Sequence, residues 1–573
     1  MSQYTAPTQD MLFLLNEIAG LPTIKQLPEY QEVSEDLVSA ILEASASFCQ
    51  DVLSPLNPVG DQQGVKVEGD KTITPEGFAD AYQQYVDNGW PSLPLSVEAG
   101  GQGLPELVNT PAMEMVMSAN LAFSLCPMLT QGAVKTLSAH GDEFTKKYLI
   151  PKMVSGEWTG SMDLTEPQAG SDLSTVKTKA VPEGDAYRIK GQKIFISWGD
   201  HDMAENMVHL VLARLPDAPA GTRGISLFAV PKYLVNEDGS LGELNDIKTV
   251  SVEEKLGQHG SPTCVLAYGD NGGALGYLVG APHRGLACMF TMMNHARINV
   301  GMQGLGLAER AYQQGSAYAE ERVQGGQAII NYPDVKRMVM LMGSGCSAMR
   351  AMIYQAMGLA DMAEADDADT AAQADKRLQL LTPIVKSWCT DITQEITSLN
   401  IQVHGGMGFV EETGAAQHYR DARILPIYEG TNAIQANDFA QRKFFADEGK
   451  ELFSLLSDIE AGLQAECDNA DIQKAANRIK QAVTTARQCA EDMLQHNAKG
   501  GDFRESACYF LNIFAYNVAA GLLFQKAVAA YQQQKKYGAE FYEEQKENLS
   551  FFTQHYLTRT DSLVAAVKAI IEA

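Results

Sequence analysis

The sequence predicts a mainly α protein with a central β domain. Two changes of hydrophobic period and one long helical face predict it. Up to about residue 155, amphipathic runs such as 35–49 and 75–89 alternate with breaks at Pro55, Pro58, Pro91, Gly100 and Gly101. From about 158 to 280, short β-rich runs (207–215, 224–230, 261–268) are separated by turn signals such as Glu183-Gly184-Asp185. Beyond Gly285 the helical period returns. Ile384, Trp388, Ile392, Ile396, Leu399 and Val403 recur at helical spacing and mark one face of a helix packed into a core.

Five segments follow: an N-terminal extension (1–35), a helical domain (36–157), a middle β domain (158–280), a helical bundle (281–445) and an additional helical domain (446–573). Thr74 is the expected N-cap of a helix whose first residue is Pro75. The β segment reads as a compact antiparallel domain. Arg297 is expected to open a long helical run through Arg322. The polar stretch 365–375 is a loop or a helix extension, and Tyr509, Phe510, Phe514, Tyr516 and Phe524 mark a buried helix in the tail.

Composition excludes several classes. The chain has 573 residues, too many for one core. Its 71 Asp+Glu against 44 Lys+Arg give a net charge of −27, which argues against a nucleic-acid partner. The nine cysteines form no CxxC pair, so neither a metal site nor a disulfide framework is expected. The longest apolar stretch, 509–524, is interrupted by Asn512 and Asn517 and falls short of the ~20 residues of a membrane span. A cytoplasmic location is the expectation.

Four stretches carry chemistry. Residues 162–172 (MDLTEPQAGSD) form a loop of hydroxyls and exposed amides at a strand end, suited to the edge of a flat ring, with Lys193-Ile194-Phe195-Ile196-Ser197 one strand away. Residues 254–264 (EKLGQHGSPTC) are followed by Asn294-His295-Ala296-Arg297. Residues 402–409 (QVHGGMGF) bring adjacent glycines after a helix, where a ligand can approach the backbone. Residues 427–432 (IYEGTN) set a carboxylate between an aromatic and a glycine before a new helix, where a plain dipole contact is the alternative role.

In this order the four stretches resemble the flavin-dependent acyl-CoA dehydrogenases over about residues 36–445. The opening Tyr4-Thr5-Ala6-Pro7, the 284–294 and 321–325 stretches and the extra tail resemble the long subgroup that includes 3-methylmercaptopropionyl-CoA dehydrogenases. The family fold is a helical domain, a β-barrel domain and a helical bundle. The resemblance implies FAD as cofactor and an acyl-CoA as substrate. A base, matched by Glu429, removes the α-proton while a hydride passes from the β-carbon to the flavin. Tyr428 and Gly430 would flank the thioester, and Ser171, Asn294 and Arg297 would meet the CoA side. Met162, Leu164, Thr165, Gly170 and Ser171 would line the flavin, with Phe195 and Ser197 in place of the family's usual Trp and Thr. Arg322, Gln402, Gly405 and Gly406 match contacts made to FAD across a subunit interface, and Thr431 touches the cofactor beside the base. A shared site implies a homodimer or higher homo-oligomer, and the family passes its electrons to electron-transfer flavoprotein. His404 is expected to pack or hydrogen-bond only. One other substrate reading stays open, a medium- or long-chain fatty acyl-CoA, and one other acceptor, O2 in an oxidase variant. A DNA-associated flavoprotein of the alkylation-response branch would carry a basic tail, whereas 446–573 holds 18 acidic and 13 basic residues.

Overall fold

The computed structural model describes residues 4–69 and 71–572. They form two compact units, one of Ser47–Leu104 and Ala119–Ala296, the other of Met1–Ala46, Pro105–Ser118 and Arg297–Ala573.

The first unit is built on an eight-stranded sheet. Seven strands run in the order Ile247–Val252, Thr263–Tyr268, Ala186–Ser197, Ala274–Val279, Ile225–Pro231, Asn206–Arg214, Trp158–Asp163, and Lys179–Glu183 pairs with both Ala186–Ser197 and Asn206–Arg214. Residues 206–213 are buried without alternation, which fits a central strand covered on both faces. Ile189, Ile196, Val211, Phe228, Val230, Leu266 and Tyr268 form its core. The sheet is not purely antiparallel: Trp158–Asp163 runs parallel to Asn206–Arg214, with Met162 opposite Leu210. A period of two marks a strand but carries no direction, so the pattern could not show this.

Two local expectations fail here. Thr74 caps nothing. Its amide and hydroxyl both donate to Asp202 Oδ1, at 3.1 and 2.7 Å, and the helix starts later, at Phe78 behind Gly77 with φ 84°. A tertiary acceptor took the group that local sequence assigns to the cap. Ahead of it lies a hairpin, Lys66–Glu68 with Lys71–Ile73, inside a stretch expected to be helical.

The second unit is helical. Gly285–Glu321 is one helix of 37 residues whose first twelve belong to the first unit and the rest to the second, so Arg297 lies inside it instead of opening it. The start at Gly285 has a steric reason within the first unit: a Cβ there would sit 2.3–2.4 Å from the Ser226–Leu227 backbone. Pro333–Met362 and Ala368–His404 follow. Asp367 caps the latter by accepting from the Thr370 amide at 2.9 Å, so most of the polar 365–375 stretch extends a helix. Ile384, Trp388, Ile392, Ile396 and Val403 are buried on one face of it. His404 packs and hydrogen-bonds: its Nδ1 lies 2.8 Å from Asn400 O and its ring stacks on Tyr318.

The tail adds five longer helices, from Lys450–Gly462 to Arg559–Ile571. Its Ala507–Gln532 helix has 26 residues and is long and apolar enough to cross a membrane, which corrects the shorter stretch read from sequence. It is a core helix of this unit, with 83% of its apolar window buried. Two of its polar side chains bond inside this unit: Asn517 Nδ2 donates to Ile513 O at 2.8 Å, and Lys526 Nζ to Ser347 Oγ at 2.9 Å, while the Asn512 and Asn517 side-chain oxygens are buried without a hydrogen-bond donor among the described residues. Eight of the nine cysteines are buried, Cys508 is half-buried, and all are unpaired thiols.

Candidate active site

Glu429 lies in the turn before the helix Asn432–Asp438. Its φ is 55°, and that of Gly430 is 86°, so two successive residues take left-handed backbone. Several hydrogen bonds fix this turn. The Asn432 amide donates to Pro426 O at 3.1 Å, Thr431 Oγ1 caps the helix by accepting from the Ile434 amide at 3.3 Å, and the buried Gln435 side chain donates to the Glu429 and Gly430 carbonyls at 3.4 and 3.3 Å. The φ of Gly430 favours glycine, and a Cβ there would push on Gln435 Nε2 at 2.7 Å, the side chain that holds the turn. Tyr428 donates its hydroxyl to Gln303 on the 285–321 helix.

The electrostatics single out Glu429. The residue keeps some open surface, yet burial of its carboxyl pushes the pKa up to about 7, against the opposing pull of Arg297 and Lys386. A carboxylate poised there can take and release a proton near neutral pH. The position is two residues ahead of a helix N-cap, but a carboxylate serving only the helix dipole would have its pKa lowered. Arg297 is buried, and burial lowers its guanidinium against the pull of Asp438 and Glu429.

The first unit carries the expected flavin loop. Glu166 and Ala169 close a tight turn by exchanging backbone hydrogen bonds of 3.0 and 2.9 Å. Buried Glu166 accepts from Gln168 Nε2, the Lys177 and Thr178 amides, Thr178 Oγ1 and Lys193 Nζ, at 2.6, 2.7, 3.0, 2.6 and 2.8 Å. Burial would raise its pKa, but Lys193 and these hydrogen bonds outweigh burial and hold it at about 2. Lys193 also donates to Leu164 O at 2.9 Å, and the Ile194 amide donates to Thr165 O at 2.9 Å. The loop is thus locked to the strand Ala186–Ser197. Lys193→Met would strand the Glu166 carboxylate, a loss of roughly 3–5 kcal/mol for a buried pair. The expected result is a purified protein with a lowered flavin-to-protein ratio; a wild-type ratio and unfolding midpoint would refute the role.

The same strand aims Phe195. Cys264 pairs with Ile196 and Leu266 with Lys193, so two residues oppose one and the strand bulges at 194–195. Phe195 takes φ 59°, and its ring is turned outward, 59% exposed, while Lys193 and Ile196 both point inside. Met162, Thr165 and Ser197 are half-buried, Leu164 is buried, and Gly170 and Ser171 are exposed. In the second unit Arg322, Gln402, Gly405 and Gly406 are exposed. A Cβ at Gly170, Gly405 or Gly406 would meet nothing within 4 Å. Within the first unit, the outward aromatic, the hydroxyls and the open Gly170 backbone fit a flat ring with a polar edge, as FAD has; within the second, the open Gly405-Gly406 backbone fits a diphosphate. The Asn294 side chain lies outside the described residues. The sequence reading missed Lys386, Asn432, Gln303 and Gln435 near Glu429, and Lys193 and Glu166 under the loop.

The family description "Acyl-CoA dehydrogenase, N-terminal domain" matches residues 38–157, the middle domain 161–270 and the C-terminal domain 283–444, and "Acetyl-CoA dehydrogenase C-terminal like" matches 455–573. These matches place the molecule among FAD-dependent oxidoreductases acting on acyl-CoA. The chain belongs to the acyl-CoA dehydrogenase family. It is 46% identical over 503 residues to a 3-methylmercaptopropionyl-CoA dehydrogenase of Ruegeria pomeroyi, covering 86% of this chain and 84% of that one. It is 37% identical to a butyryl-CoA dehydrogenase of Syntrophomonas wolfei, covering 80% and 78%. The fold matches that of Caenorhabditis elegans ACDH-11 in complex with C11-CoA, with TM-score 0.78, 22% identity and coverage of 96% and 92%. It also matches an acyl-CoA dehydrogenase complexed with FAD from Bacillus anthracis, with TM-score 0.76, 22% identity and coverage of 97% and 92%.

Proposed function

We propose that this acyl-CoA dehydrogenase converts 3-methylmercaptopropionyl-CoA to its trans-2-enoyl-CoA, with Glu429 as the base. The buried carboxyl of Glu429, raised to about 7, is the observation that carries the reaction. Bound FAD supplies the two-electron acceptor. Glu429 takes the α-proton, which is too weakly acidic for an ordinary carboxylate in water. Its own backbone amide faces the thioester oxygen and favours the negative charge that develops there. Arg297, buried in the same unit, would meet the CoA side, and the resemblance gives the same role to Ser171 and Asn294. Tyr428 and Gly430 flank the thioester. Met162, Leu164, Thr165, Gly170, Ser171, Phe195 and Ser197 hold the flavin, and Arg322, Gln402, Gly405, Gly406 and Thr431 the rest of the cofactor.

The substrate assignment rests on the Ruegeria pomeroyi relative. The butyryl-CoA dehydrogenases favour a second reading, a straight-chain fatty acyl-CoA of β-oxidation. The division into five segments, assembly as a homodimer, a cytoplasmic location and electron-transfer flavoprotein as acceptor belong to the same proposal. A kcat/KM series over straight-chain and thioether acyl-CoAs with an artificial acceptor tests the substrate. One methylene is worth roughly 1–3 kcal/mol in an apolar pocket. A preference of at least tenfold for the thioether over the straight chain of equal length supports the proposal; a steady rise with chain length overturns it.

A further inference from the structure

The turn that carries Glu429 is held by a cluster of side chains on the helix Ala368–His404. Lys386, on the helix Ala368–His404, is fully buried. Its Nζ donates to Asn432 Oδ1 at 2.9 Å. Asn432 is three residues beyond the base. Its Nδ2 donates in turn to Asp391 Oδ1, Thr390 Oγ1 and Ser387 O at 2.7, 3.0 and 3.1 Å. One side chain thus clamps the first residue of the Asn432–Asp438 helix to a full turn of another helix. The clamp matters because the backbone just before it, at Glu429 and Gly430, is left-handed and must be held there.

We propose that Lys386 is a positioning residue for Glu429, fixing its turn through Asn432 and setting a buried positive charge beside its carboxylate. This rests on Glu429 being the base. A buried lysine is costly unless it is compensated, and neutral hydrogen bonding alone would be met by a glutamine. Burial lowers the Lys386 pKa to about 8, against the pull of Asp391 and Glu429, so the ammonium persists at neutral pH. The charged groups around the pair are few. Glu429 feels Arg297 from the 285–321 helix and Lys386. Lys386 feels Asp391 on its own helix, Glu429 and Arg297. Asp438 and Arg442 act on Arg297, and Arg423 acts on Asp391. Burial works to neutralise Glu429, and the two cations oppose it. A base that stayed protonated at neutral pH would be idle, so Lys386 keeps a usable fraction ionised.

The test uses the flavin-loaded enzyme and its pH profile. Lys386→Gln keeps a donor for Asn432 but removes the charge. The acid limb of kcat/KM should move to higher pH by about one unit, because loss of a nearby cation raises a carboxyl pKa. Lys386→Arg should bring the limb back toward wild type. An unchanged limb in Lys386→Gln with normal flavin content overturns the proposal. Should Lys386→Gln fail to fold, Asn432→Ala decides: kcat should fall at least tenfold with flavin content intact, and a wild-type kcat overturns it. Glu429→Gln separates the two levels. Full turnover in that variant removes the base assignment itself, whereas a dead Glu429→Gln beside an unmoved Lys386→Gln limb removes only the positioning role.

Discussion

Glu429→Gln should keep its flavin and lose turnover by about two to four orders of magnitude, the usual share of a positioned general base. Glutamine has the shape of glutamate and preserves the Gln435 and Asn432 contacts, which go to the backbone and to a neighbouring side chain. Only the proton acceptor is lost. In the parent enzyme kcat/KM should climb as pH rises through about 7, because the base acts ionised and burial has raised its pKa to that value. Stability should move the other way. A carboxyl whose folded pKa lies above its unfolded value contributes most below the unfolded value, and that contribution is lost as pH rises toward the folded one. Urea midpoints at pH 8 should therefore be equal or higher in Glu429→Gln than in the parent. A variant with normal turnover, or one destabilised at pH 8 but not at pH 5, would count against a buried, ionising base.

The parts legible in sequence were those encoded locally. The switch from helical period to period two and back follows from which faces are buried, so the β segment and the Ile384–Val403 face could be read directly. Contiguous motifs were legible for the same reason: IYEGTN shows its carboxylate, glycine and capping threonine side by side. What escaped depends on partners far along the chain. Thr74 looks like a cap until Asp202, 128 residues later, takes its hydroxyl and amide. The bulge that turns Phe195 outward exists only in the pairing with the strand Thr263–Tyr268. Lys386 shows no motif at all, and its meaning appears only when Asn432 comes within 2.9 Å. Ala507–Gln532 shows the reverse difficulty: its composition fits a membrane or a core equally, and only its neighbours decide.

Arg350→Met should destabilise the protein by about 3–5 kcal/mol. The guanidinium is buried and engages three carboxylates: Nε donates to Glu114 Oε1 at 2.8 Å, Nη1 to Asp10 Oδ2 at 3.0 Å and Nη2 to Glu309 Oε2 at 2.8 Å. Tyr354 donates to the other Glu114 oxygen at 2.8 Å, and Lys526 reaches Asp10 Oδ1 at 2.6 Å. One cation therefore joins the helices that carry residues 10, 114 and 309 to its own, and Lys526 adds a fifth from the tail. Methionine fills much of the volume but leaves those carboxylates facing one another out of water. The acidity of the groups gives the loss a pH signature. Burial works to raise both Asp10 and Glu114; Lys526 and Arg350 overcome it at Asp10, which lies below its ordinary value, while Glu114 stays above. Without Arg350 both shift upward, so acidification neutralises the uncompensated charges in the variant sooner than in the parent. The gap between their urea midpoints should be widest near pH 8 and narrow toward pH 5. Limited proteolysis should cut the variant first near the Thr8–Glu17 helix, which loses one of its two buried cationic contacts. Arg337→Met sets the scale for comparison. Its pair with Asp334 is largely exposed, at 44% and 73%, and its loss should cost less than about 1 kcal/mol at any of these pH values. A midpoint gap for Arg350→Met that is as small as that, or that does not change with pH, would mean the cluster is not what joins the N-terminal helix to the bundle.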